Sequence, residues 1–270
     1  MNPAEYARMH ALEDWYWWFV ARRQAAAQFL RDHAPPDQPL HVLDAGCGTG
    51  GMLELYGKWP DVIATGADLS PDALAFSRSR GHTRLVNADL GLLPFRTGTF
   101  SAVTALDVIE HIADDGRAIR EISRVLRPGG ILVASVPAYQ FLWGPHDEAL
   151  HHQRRYTAVE FRTLVQAAGL RVEKQTYLLA ALFPIAAGLR LATRRRKLDG
   201  GALLPRVPHL VNRALIGLQA VELSLARHTS LPFGLTVLTV ARKPVPARVL
   251  LPSLEERLAA HACPARAPAG

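Results

Sequence analysis

The sequence feature that most constrains the fold is a glycine-rich turn at residues 44–50. It follows an apolar run at residues 40–43, which we predict to be a short strand, and it precedes a helix-like run. Glycines between a strand and a helix let the backbone approach a ligand and direct the first amides of the helix toward it. The segment therefore predicts the first half of a βαβ unit with a ligand at its turn.

The same alternation of strands and helices continues along the chain. Ser70 followed by Pro71 marks one helix start, and Thr157 with Glu160 forms a capping box that starts another. Strands that alternate with helices favour a parallel sheet covered on both faces. We therefore predict a doubly wound α/β fold with a mostly parallel sheet. The further strands are predicted at residues 62–67, 83–86, 102–105, 131–136, 170–175 and 235–240.

Additions to this core are predicted at both ends and before the last strand. Residues 6–33 are predicted to be helical, ending before Pro35 and Pro36. The mixture of apolar and basic residues before the last strand favours a helical insertion. The resulting plan has an N-terminal helical cap or lid (1–36), a core (37–177), the helical insertion (178–232), the last core strand (233–243) and a Pro/Ala-rich tail (244–270).

Composition and charge indicate the cellular compartment of the protein and the kinds of partner it can bind. The two cysteines, Cys47 and Cys263, argue against a disulfide framework, and the N-terminus lacks an export signal, so we predict a cytoplasmic protein. The formal charge is +7, and the basic residues are densest at 194–197, which indicates a local contact surface rather than a nucleic-acid groove. The most apolar stretch, residues 177–191, falls short of the roughly 18 to 20 apolar residues that a membrane span needs.

Two carboxylates indicate which kind of ligand the glycine turn binds. Gly46, Gly48 and Gly51 satisfy the G-x-G-x-x-G pattern of dinucleotide enzymes, so a nicotinamide-dependent oxidoreductase is one alternative. Asp44 ends the first strand, where it would repel a pyrophosphate and attract the ammonium group of a sulfonium amino acid. Asp68 ends the second strand and can accept hydrogen bonds from ribose hydroxyls, which supports a nucleoside without deciding between the two ligands.

Five motifs occur in order between residues 40 and 175. They are Val42–Gly50, Gly66–Ser70, Asn87–Asp89, Leu106–His111 and Leu126–Gly130. Together they resemble the class I S-adenosylmethionine-dependent methyltransferases. The resemblance implies S-adenosyl-L-methionine as the cofactor and a Rossmann-like sheet of seven strands. It implies cofactor binding by Asp44, Gly46, Cys47, Gly48, Gly50, Asp68, Leu69, Asp89, Leu90 and Leu106.

Candidate general bases come from two further stretches. Residues 106–111 are similar to the ubiquinone-biosynthesis O-methyltransferases, and this similarity implies that His111 lies beside the substrate; a structural histidine at a helix start is the alternative. Residues 143–157 follow the fifth strand, where loops build the substrate side of such pockets, and they supply His146 as a second candidate. The residues predicted to contact the substrate are Trp18, Arg23, Tyr139, His146, Arg155 and Tyr156.

No metal site is predicted. His146, Asp147, His151 and His152 are close in sequence, but their spacing is not that of a His-Glu-x-x-His helix. A polar loop exposed to solvent is the favoured interpretation of these residues.

The N-terminal segment and the insertion indicate a membrane-linked setting. Residues 12–23 and 143–157 resemble a subset of bacterial methyltransferases encoded among cell-envelope and lipid-linked sugar pathways. The aromatic cluster of residues 15–19 has more apolar surface than one helix face can bury, which predicts a lid, with a plain packing helix as the alternative. Residues 178–230 favour peripheral contact with the inner face of the membrane, or a helical subdomain packed on the sheet.

The predicted reaction is methyl transfer to a small or lipid-linked acceptor, with oxygen favoured as the acceptor atom. Nucleic acid is an unfavoured partner, because residues 105–108 replace the Asn/Asp-Pro-Pro-Tyr/Phe motif of enzymes that methylate base amino groups. Two alternatives from other classes stay open. One is the nicotinamide-dependent oxidoreductase, and the other is a non-catalytic membrane-surface binding module of the same fold.

Overall fold

A seven-stranded sheet forms the centre of the protein. The computed structural model describes residues 3–36, 39–193 and 207–246. Within that part the strands lie in the order β3-β2-β1-β4-β5-β7-β6, numbered along the chain. They are β1 (Leu40–Ala45), β2 (Val62–Asp68), β3 (Leu85–Asn87), β4 (Phe100–Leu106), β5 (Leu126–Pro137), β6 (Arg171–Leu178) and β7 (Thr236–Arg242).

The sheet is mixed, with one strand reversed. The pairs β1–β2, β1–β4, β2–β3 and β4–β5 are parallel, whereas β7 is antiparallel to both β5 and β6. The prediction of a Rossmann-like sheet of seven strands is confirmed. The order of strands reverses beside β1, because β2 and β3 extend one side and β4 begins the other. The carboxyl ends of β1 and β4 therefore border a crevice of the kind in which such folds bind ligands.

Helices cover both faces of the sheet. Ile119, Ile122 and Phe161 are buried in the core on one face, and Phe29 and Leu30 are buried in the core on the other. The helices of the described residues are α1 (Pro3–Leu12), α2 (Trp17–His33), α3 (Gly51–Tyr56), α4 (Pro71–Ser79), α5 (Asp115–Val125), α6 (Pro145–Ala149), α7 (Ala158–Ala167), α8 (Phe183–Thr193) and α9 (His209–His228).

The predicted helix starts at α4 and α7 are confirmed. The Ser70 side chain accepts a hydrogen bond from the amide of Ala73 (3.3 Å) at the start of α4. Thr157 accepts from the amide of Glu160 (3.2 Å), and the Glu160 carboxylate accepts from the amide of Thr157 (2.7 Å). These contacts are local in sequence, which is why the capping pattern predicted them.

Residues 6–33 are helical as predicted except at residues 13–16, where the helix is interrupted. The chain leaves the helix after Leu12 and begins α2 only at Trp17. Asn212 of α9 explains the break, because its side chain accepts from the amide of Trp17 (2.9 Å) and donates to the carbonyl of Trp15 (2.8 Å). A residue far along the chain thus satisfies backbone groups that a continuous helix would have paired internally.

Helix α9 has an unusual distribution of polarity. Its buried residues include Asn212, Gln219 and Glu222, and Glu222 accepts from the amide of Ala181 (3.0 Å). A surface helix of a globular protein normally turns its apolar face inward. In α9 the exposed side is apolar instead, with large side chains at Leu210, Val211, Leu218, Val221 and Leu225.

Several predictions concern parts that the structure does not describe. The basic run at residues 194–197, Cys263 and the tail beyond residue 246 lie outside the described residues. None of the described helices combines the length and the hydropathy needed to cross a bilayer. The division of the chain into five segments stays a prediction.

Candidate cofactor and acceptor site

A cavity of about 1040 Å³ lies at the carboxyl edge of the sheet. Its volume is at the upper end of the roughly 300–1,000 Å³ typical of small-molecule sites. One end, the glycine-turn end, is lined by Asp44, Gly46, Gly48, Asp68 and Asp89. The other, the histidine end, is lined by Glu110, His111, His146, His152 and Arg155. The cavity is therefore large enough for two ligands side by side.

The glycine turn disfavours side chains at two positions. Gly46 and Gly48 both adopt a positive φ, 78° and 54°. A Cβ on Gly46 would collide with the side chain of Val108, and one on Gly48 would lie 2.9 Å from Met9 Cε. The turn can adopt its shape and approach a ligand only because these residues are glycines.

Asp44 is a buried carboxyl group at the end of β1. Its Oδ1 accepts a hydrogen bond from Thr104 Oγ1 (2.8 Å) on the neighbouring strand. Burial raises the pKa of Asp44 to about 7, an effect that the Thr104 hydrogen bond opposes only in part. A cationic ligand group beside Asp44 would favour the ionised form.

Asp68 binds the glycine turn from the end of β2. Its Oδ2 accepts from the amide of Gly48 (2.9 Å), and its Oδ1 accepts from the amide of Ser70 (2.8 Å). Burial raises the pKa of Asp68, although both of these hydrogen bonds favour the carboxylate. Each carboxylate oxygen has a second lone pair, so Asp68 can still accept hydrogen bonds from ligand hydroxyls.

The N-terminal helices close the glycine-turn end. Tyr6 and Met9 of α1 line the cavity there. Between α1 and α2, the buried carboxylate of Glu13 accepts from the hydroxyl of Thr49 and from Arg80 Nη2 (2.8 Å). The connection between α1 and α2 is thereby attached to the turn that it covers.

At the histidine end, Asp147 organises the charged side chains from behind the cavity wall. Its carboxylate accepts from Arg155 Nε (2.8 Å), from His152 Nδ1 (2.8 Å) and from the amide of Gly144 (2.9 Å), and Arg190 Nη1 lies 3.6 Å away. Burial opposes ionisation, but the His152 hydrogen bond and the charge of Arg155 outweigh it and hold the pKa of Asp147 well below its usual range.

The two predicted general bases are buried imidazoles. Burial lowers the pKa of His111 to about 4, with a further contribution from His152. Burial and the charge of Arg190 likewise lower the pKa of His146 to about 4. Both rings are therefore neutral at pH 7. Each can accept a hydrogen bond, but each is a weaker base than an ordinary histidine.

Glu110 lies beside His111 and is completely buried. Burial raises its pKa to about 8, against the opposing charges of Arg22 and Arg155. Arg22 itself is paired with Asp107 at the end of β4. These contacts join the N-terminal helix α2 to the histidine end.

Most of the predicted site residues line this cavity. The structure brings together Trp18, Arg23, Asp44, Gly46, Cys47, Gly48, Asp68, Leu69, Asp89, Leu90, Leu106, His111, His146 and Arg155. The binding and catalytic roles of these residues stay predictions.

Three predicted residues lie elsewhere. Gly50 faces Ser77 of α4, where a Cβ would lie 2.9 Å from the serine hydroxyl. Tyr139 stacks on Tyr177 with the ring centroids 5.2 Å apart. The Tyr156 hydroxyl donates to Asp115 Oδ2 (2.8 Å). These three residues do not line the cavity and pack or bond within the protein, so their predicted contact with a ligand stays a prediction.

Other cavity residues were not predicted from the sequence as site residues. Glu110 belongs to one of the five motifs, but only its neighbour His111 was taken from that motif as a candidate base. Arg190 lies in the insertion, where the sequence indicated only an apolar and basic helix. His152 was assigned to a polar loop, and only its contact with Asp147 (2.8 Å) reveals its place.

The carboxylates of Asp44, Asp68 and Asp89 lie within a stretch that matches a known type of domain. Residues 43–134 match the sequence model of a family described as a methyltransferase domain. The chain carries a methyltransferase domain. The match confirms the predicted class I methyltransferase, a kind of domain whose cofactor is S-adenosylmethionine.

Curated relatives of this methyltransferase domain have the names of different methyltransferases. Norajmaline N-methyltransferase of Rauvolfia serpentina is 33% identical over 147 residues, which cover 48% of this chain and 50% of the relative. Demethylmenaquinone methyltransferase of Thermus thermophilus is 38% identical over 108 residues, which cover 38% of this chain and 49% of the relative. The chain thus spans about half the length of these curated relatives.

Solved structures share the fold of this methyltransferase domain. A chain of the complex between the Haloferax volcanii Trm112 methyltransferase activator and a methyltransferase has a TM-score of 0.59 and 22% identity, covering 90% of this chain and 97% of that one. Phosphoethanolamine N-methyltransferase 2 of Haemonchus contortus, in complex with S-adenosyl-L-methionine, has a TM-score of 0.55 and 19% identity, covering 82% of this chain and 53% of that one. At these identities the likeness concerns the fold alone.

Proposed function

We propose that the protein binds S-adenosyl-L-methionine at the glycine-turn end and methylates a small acceptor at the histidine end. One observation carries the proposal: the carboxylates of Asp44 and Asp68 flank the Gly46–Gly48 turn in a cavity that continues to a second, differently built end. A pocket for one dinucleotide would not require a buried carboxylate where its pyrophosphate lies.

The residues of the glycine-turn end fit this cofactor. Asp44 would hold the ammonium group, because a cation beside a buried carboxylate favours ionisation of both groups. Asp68 would accept from the ribose hydroxyls, and Asp89 from the amino group of adenine. The side chains that would surround the adenosine and the methionine chain are Cys47, Leu69, Leu90 and Leu106.

Positioning is the main contribution that we assign to the protein. The bound cofactor supplies an activated sulfonium methyl group and leaves as S-adenosylhomocysteine. Holding a nucleophile in line with such a group can contribute up to roughly 7–11 kcal/mol. Trp18 and Arg23 of α2 line the cavity and would cover the bound ligands and exclude water from them. His111 and His146 would accept a hydrogen bond from the acceptor as neutral imidazoles.

For the acceptor we propose a small or lipid-linked molecule with an oxygen or nitrogen nucleophile. The sequence favoured oxygen, whereas the names of the ajmaline-pathway relatives specify nitrogen for those proteins. The neutral imidazoles of the histidine end suit either atom. Transfer of a ¹³C-labelled methyl group to candidate acceptors, followed by NMR of the product, distinguishes an O-methyl from an N-methyl group.

The cofactor assignment is tested by calorimetric titration of the purified protein with S-adenosylmethionine, S-adenosylhomocysteine and NAD. We expect micromolar binding of the first two ligands and no binding of NAD. Binding of NAD alone would establish the oxidoreductase alternative. If none of the three binds, the protein is the non-catalytic binding module.

We also propose that the insertion contacts the surface of an anionic membrane. On α9 the exposed fractions of Leu210 and Val221 are 80% and 62%, and on α8 that of Ile185 is 73%. Apolar helix faces of this kind bind at lipid interfaces when basic residues lie beside them, and Arg213 of α9 is exposed. A location at the inner face of the membrane follows from this proposal.

Sedimentation with liposomes tests the membrane contact. The intact protein should sediment with vesicles that contain phosphatidylglycerol, and the double variant Val221→Ser, Leu225→Ser should sediment less. The control is Val159→Ser, which removes an apolar side chain that is 72% exposed on α7. If the intact protein stays in the supernatant at low salt, the apolar face of α9 does not bind lipid.

A further inference from the structure

Three side chains at the histidine end form a compact group of metal-binding atoms. One carboxylate oxygen of Glu110, one ring nitrogen of His111 and one of His152 all lie within 4.8 Å of one another. The closest approach between His152 and Glu110 is 3.9 Å, from Nε2 to Oε1. The three residues line the cavity, so an ion held there would be reached from it.

The carboxylate of Glu110 has no partner that explains its burial. Glu110 is 0% exposed, and among the described residues its carboxylate oxygens have no hydrogen-bond partner of good geometry; an interaction with its own backbone amide is the one hydrogen bond that contributes. Burying a carboxyl group without a hydrogen bond costs several kcal/mol, so such groups are normally paired or bound to a metal. Arg22 is near, but its guanidinium is paired with Asp107.

Both imidazoles are oriented as metal ligands usually are. His152 donates its Nδ1 hydrogen to the Asp147 carboxylate (2.8 Å), which leaves the lone pair on Nε2, the ring atom that lies 3.9 Å from Glu110 Oε1. His111 is hydrogen-bonded to the backbone of His151, which fixes its ring in the same way. A carboxylate or carbonyl behind the histidine is the usual second shell of a metal site.

We propose that Glu110, His111 and His152 bind a divalent transition-metal ion. Two imidazoles and one carboxylate are the ligand set of catalytic zinc sites and of facial-triad iron sites, and both kinds keep positions open. Magnesium and calcium prefer sets made only of oxygen. With an ion bound, His111 would be a ligand and His146 alone would accept a hydrogen bond from the acceptor; the open positions would face the cavity and take water or an oxygen atom of the acceptor.

The nearby arginines do not prevent binding of a cation. Arg22 is paired with Asp107, and Arg155 is paired with Asp147. Arg22 and Arg155 are thus each paired with a carboxylate, Arg190 lies 3.6 Å from the same Asp147, and Glu110 would add one more negative charge when an ion displaces its proton. The sequence raised the question of a metal only at His146, Asp147, His151 and His152, whose spacing argued against it; the fold brings Glu110 and His111 to His152 from a separate segment.

Cobalt(II) provides the test, because its visible absorption reports the ligands directly. The full chain, purified without a histidine tag and treated with a chelator, is titrated with Co²⁺, and metal content is measured after dialysis. We expect one tightly bound Co²⁺ per chain with the strong visible bands of a four- or five-coordinate ion. Zn²⁺ should displace it, and Mg²⁺ should not.

Variants assign the binding to these residues. Glu110→Gln and His152→Asn should each weaken Co²⁺ binding by at least about 100-fold, since changes in the second shell alone cost ~10–100-fold. The control is His82→Asn, because His82 Nε2 also faces a glutamate, Glu54, at 4.0 Å but outside this cavity. A melting curve for each variant confirms that it is folded.

Two results would overturn the proposal. One is the absence of stoichiometric Co²⁺ and Zn²⁺ binding by the intact chain. The other is an equal loss of binding in His82→Asn and in the two cavity variants. Glu110 would in either case be a buried, protonated acid, and the methyl-transfer proposal would stand, because it does not depend on an ion.

Discussion

The two ends of the cavity are built in different ways. At the glycine-turn end, Asp44 and Asp68 terminate neighbouring parallel strands, and Asp68 accepts from the amides of Gly48 and Ser70. At the histidine end, the ion pair between Arg155 and Asp147 is buried, and Arg190 reaches it from α8. The first end is held by backbone geometry. The second is held by charged side chains from distant segments, so substitutions should affect the two ends differently.

The largest effect is expected for Asp147→Ala at the histidine end. The change leaves Arg155 buried without its carboxylate, and breaking a buried pair from one side costs about 3–5 kcal/mol. The free energy of unfolding, measured by urea denaturation, should fall by that amount. Glu148→Ala removes the exposed neighbouring acid and should change it by less than about 0.5 kcal/mol. Equal effects of the two variants would show that the ion pair does not stabilise this end.

Asp68→Ala should weaken ligand binding and also lower stability, because its carboxylate accepts from the amides of Gly48 and Ser70. Hydrogen bonds to a charged group contribute about 1.5–3 kcal/mol each, so loss of the ribose contacts should weaken S-adenosylmethionine binding by roughly 100-fold. Calorimetry measures this change. Asp72→Ala, an exposed acid in the first turn of α4, is the matched control and should bind normally. Unchanged affinity in Asp68→Ala would remove the ribose assignment.

Asp44 should make cofactor binding depend on pH. Because the pKa of Asp44 is about 7 in the folded protein, the carboxylate that attracts the cofactor ammonium forms between about pH 6 and 8. Affinity should rise about fivefold to tenfold over that range. Asp44→Asn should bind weakly at every pH. A flat profile for the wild-type protein would contradict the assignment of the ammonium group to Asp44.

The same group should lower stability as pH rises. The pKa of Asp44 is raised above the value of about 3.9 for an unfolded chain, so between about pH 4 and 7 the folded protein holds the extra proton. The free energy of unfolding without cofactor therefore falls as pH increases through that window. Asp44→Asn should be more stable than the wild type at pH 8, by roughly 1–4 kcal/mol. Chemical denaturation at pH 5 and pH 8 measures the difference.

The smallest effect is expected for Tyr156→Phe. The hydroxyl bonds Asp115 outside the cavity, so its loss should cost about 1–2 kcal/mol of stability and leave cofactor affinity unchanged. Thermal unfolding and calorimetry on the same sample measure both quantities. A marked loss of cofactor affinity would show that Tyr156 contributes to the site, and the two ends would then not differ in the way described.

The sequence predicted the glycine-turn end well because its signals are local. A strand end, a turn that requires positive φ at Gly46 and a serine cap at Ser70 each act within a few residues. The direction of β7 was not predicted, because an apolar strand has the same pattern in either direction. The break between α1 and α2 was missed because the backbone groups at Trp15 and Trp17 are satisfied by Asn212.

The histidine end shows the limit of reasoning from sequence. Tyr139 and Tyr156 are neighbours of cavity residues along the chain, yet their side chains turn to Tyr177 and Asp115. Conversely, Glu110 lies within one of the five motifs but was not predicted as a site residue. Nothing in the sequence indicates that its carboxylate is buried without a side-chain donor.

By itself the sequence determined the βαβ units, the glycine turn and the two strand-end carboxylates, since these depend on backbone preferences and on residues a few positions apart. Only the tertiary structure decided which polar side chains meet at the histidine end, and that the buried side of α9 carries Asn212 and Glu222. A polar side chain that is buried away from water needs a hydrogen-bond or ion-pair partner within the protein. The partner of a buried charge can come from any segment that the fold brings within reach.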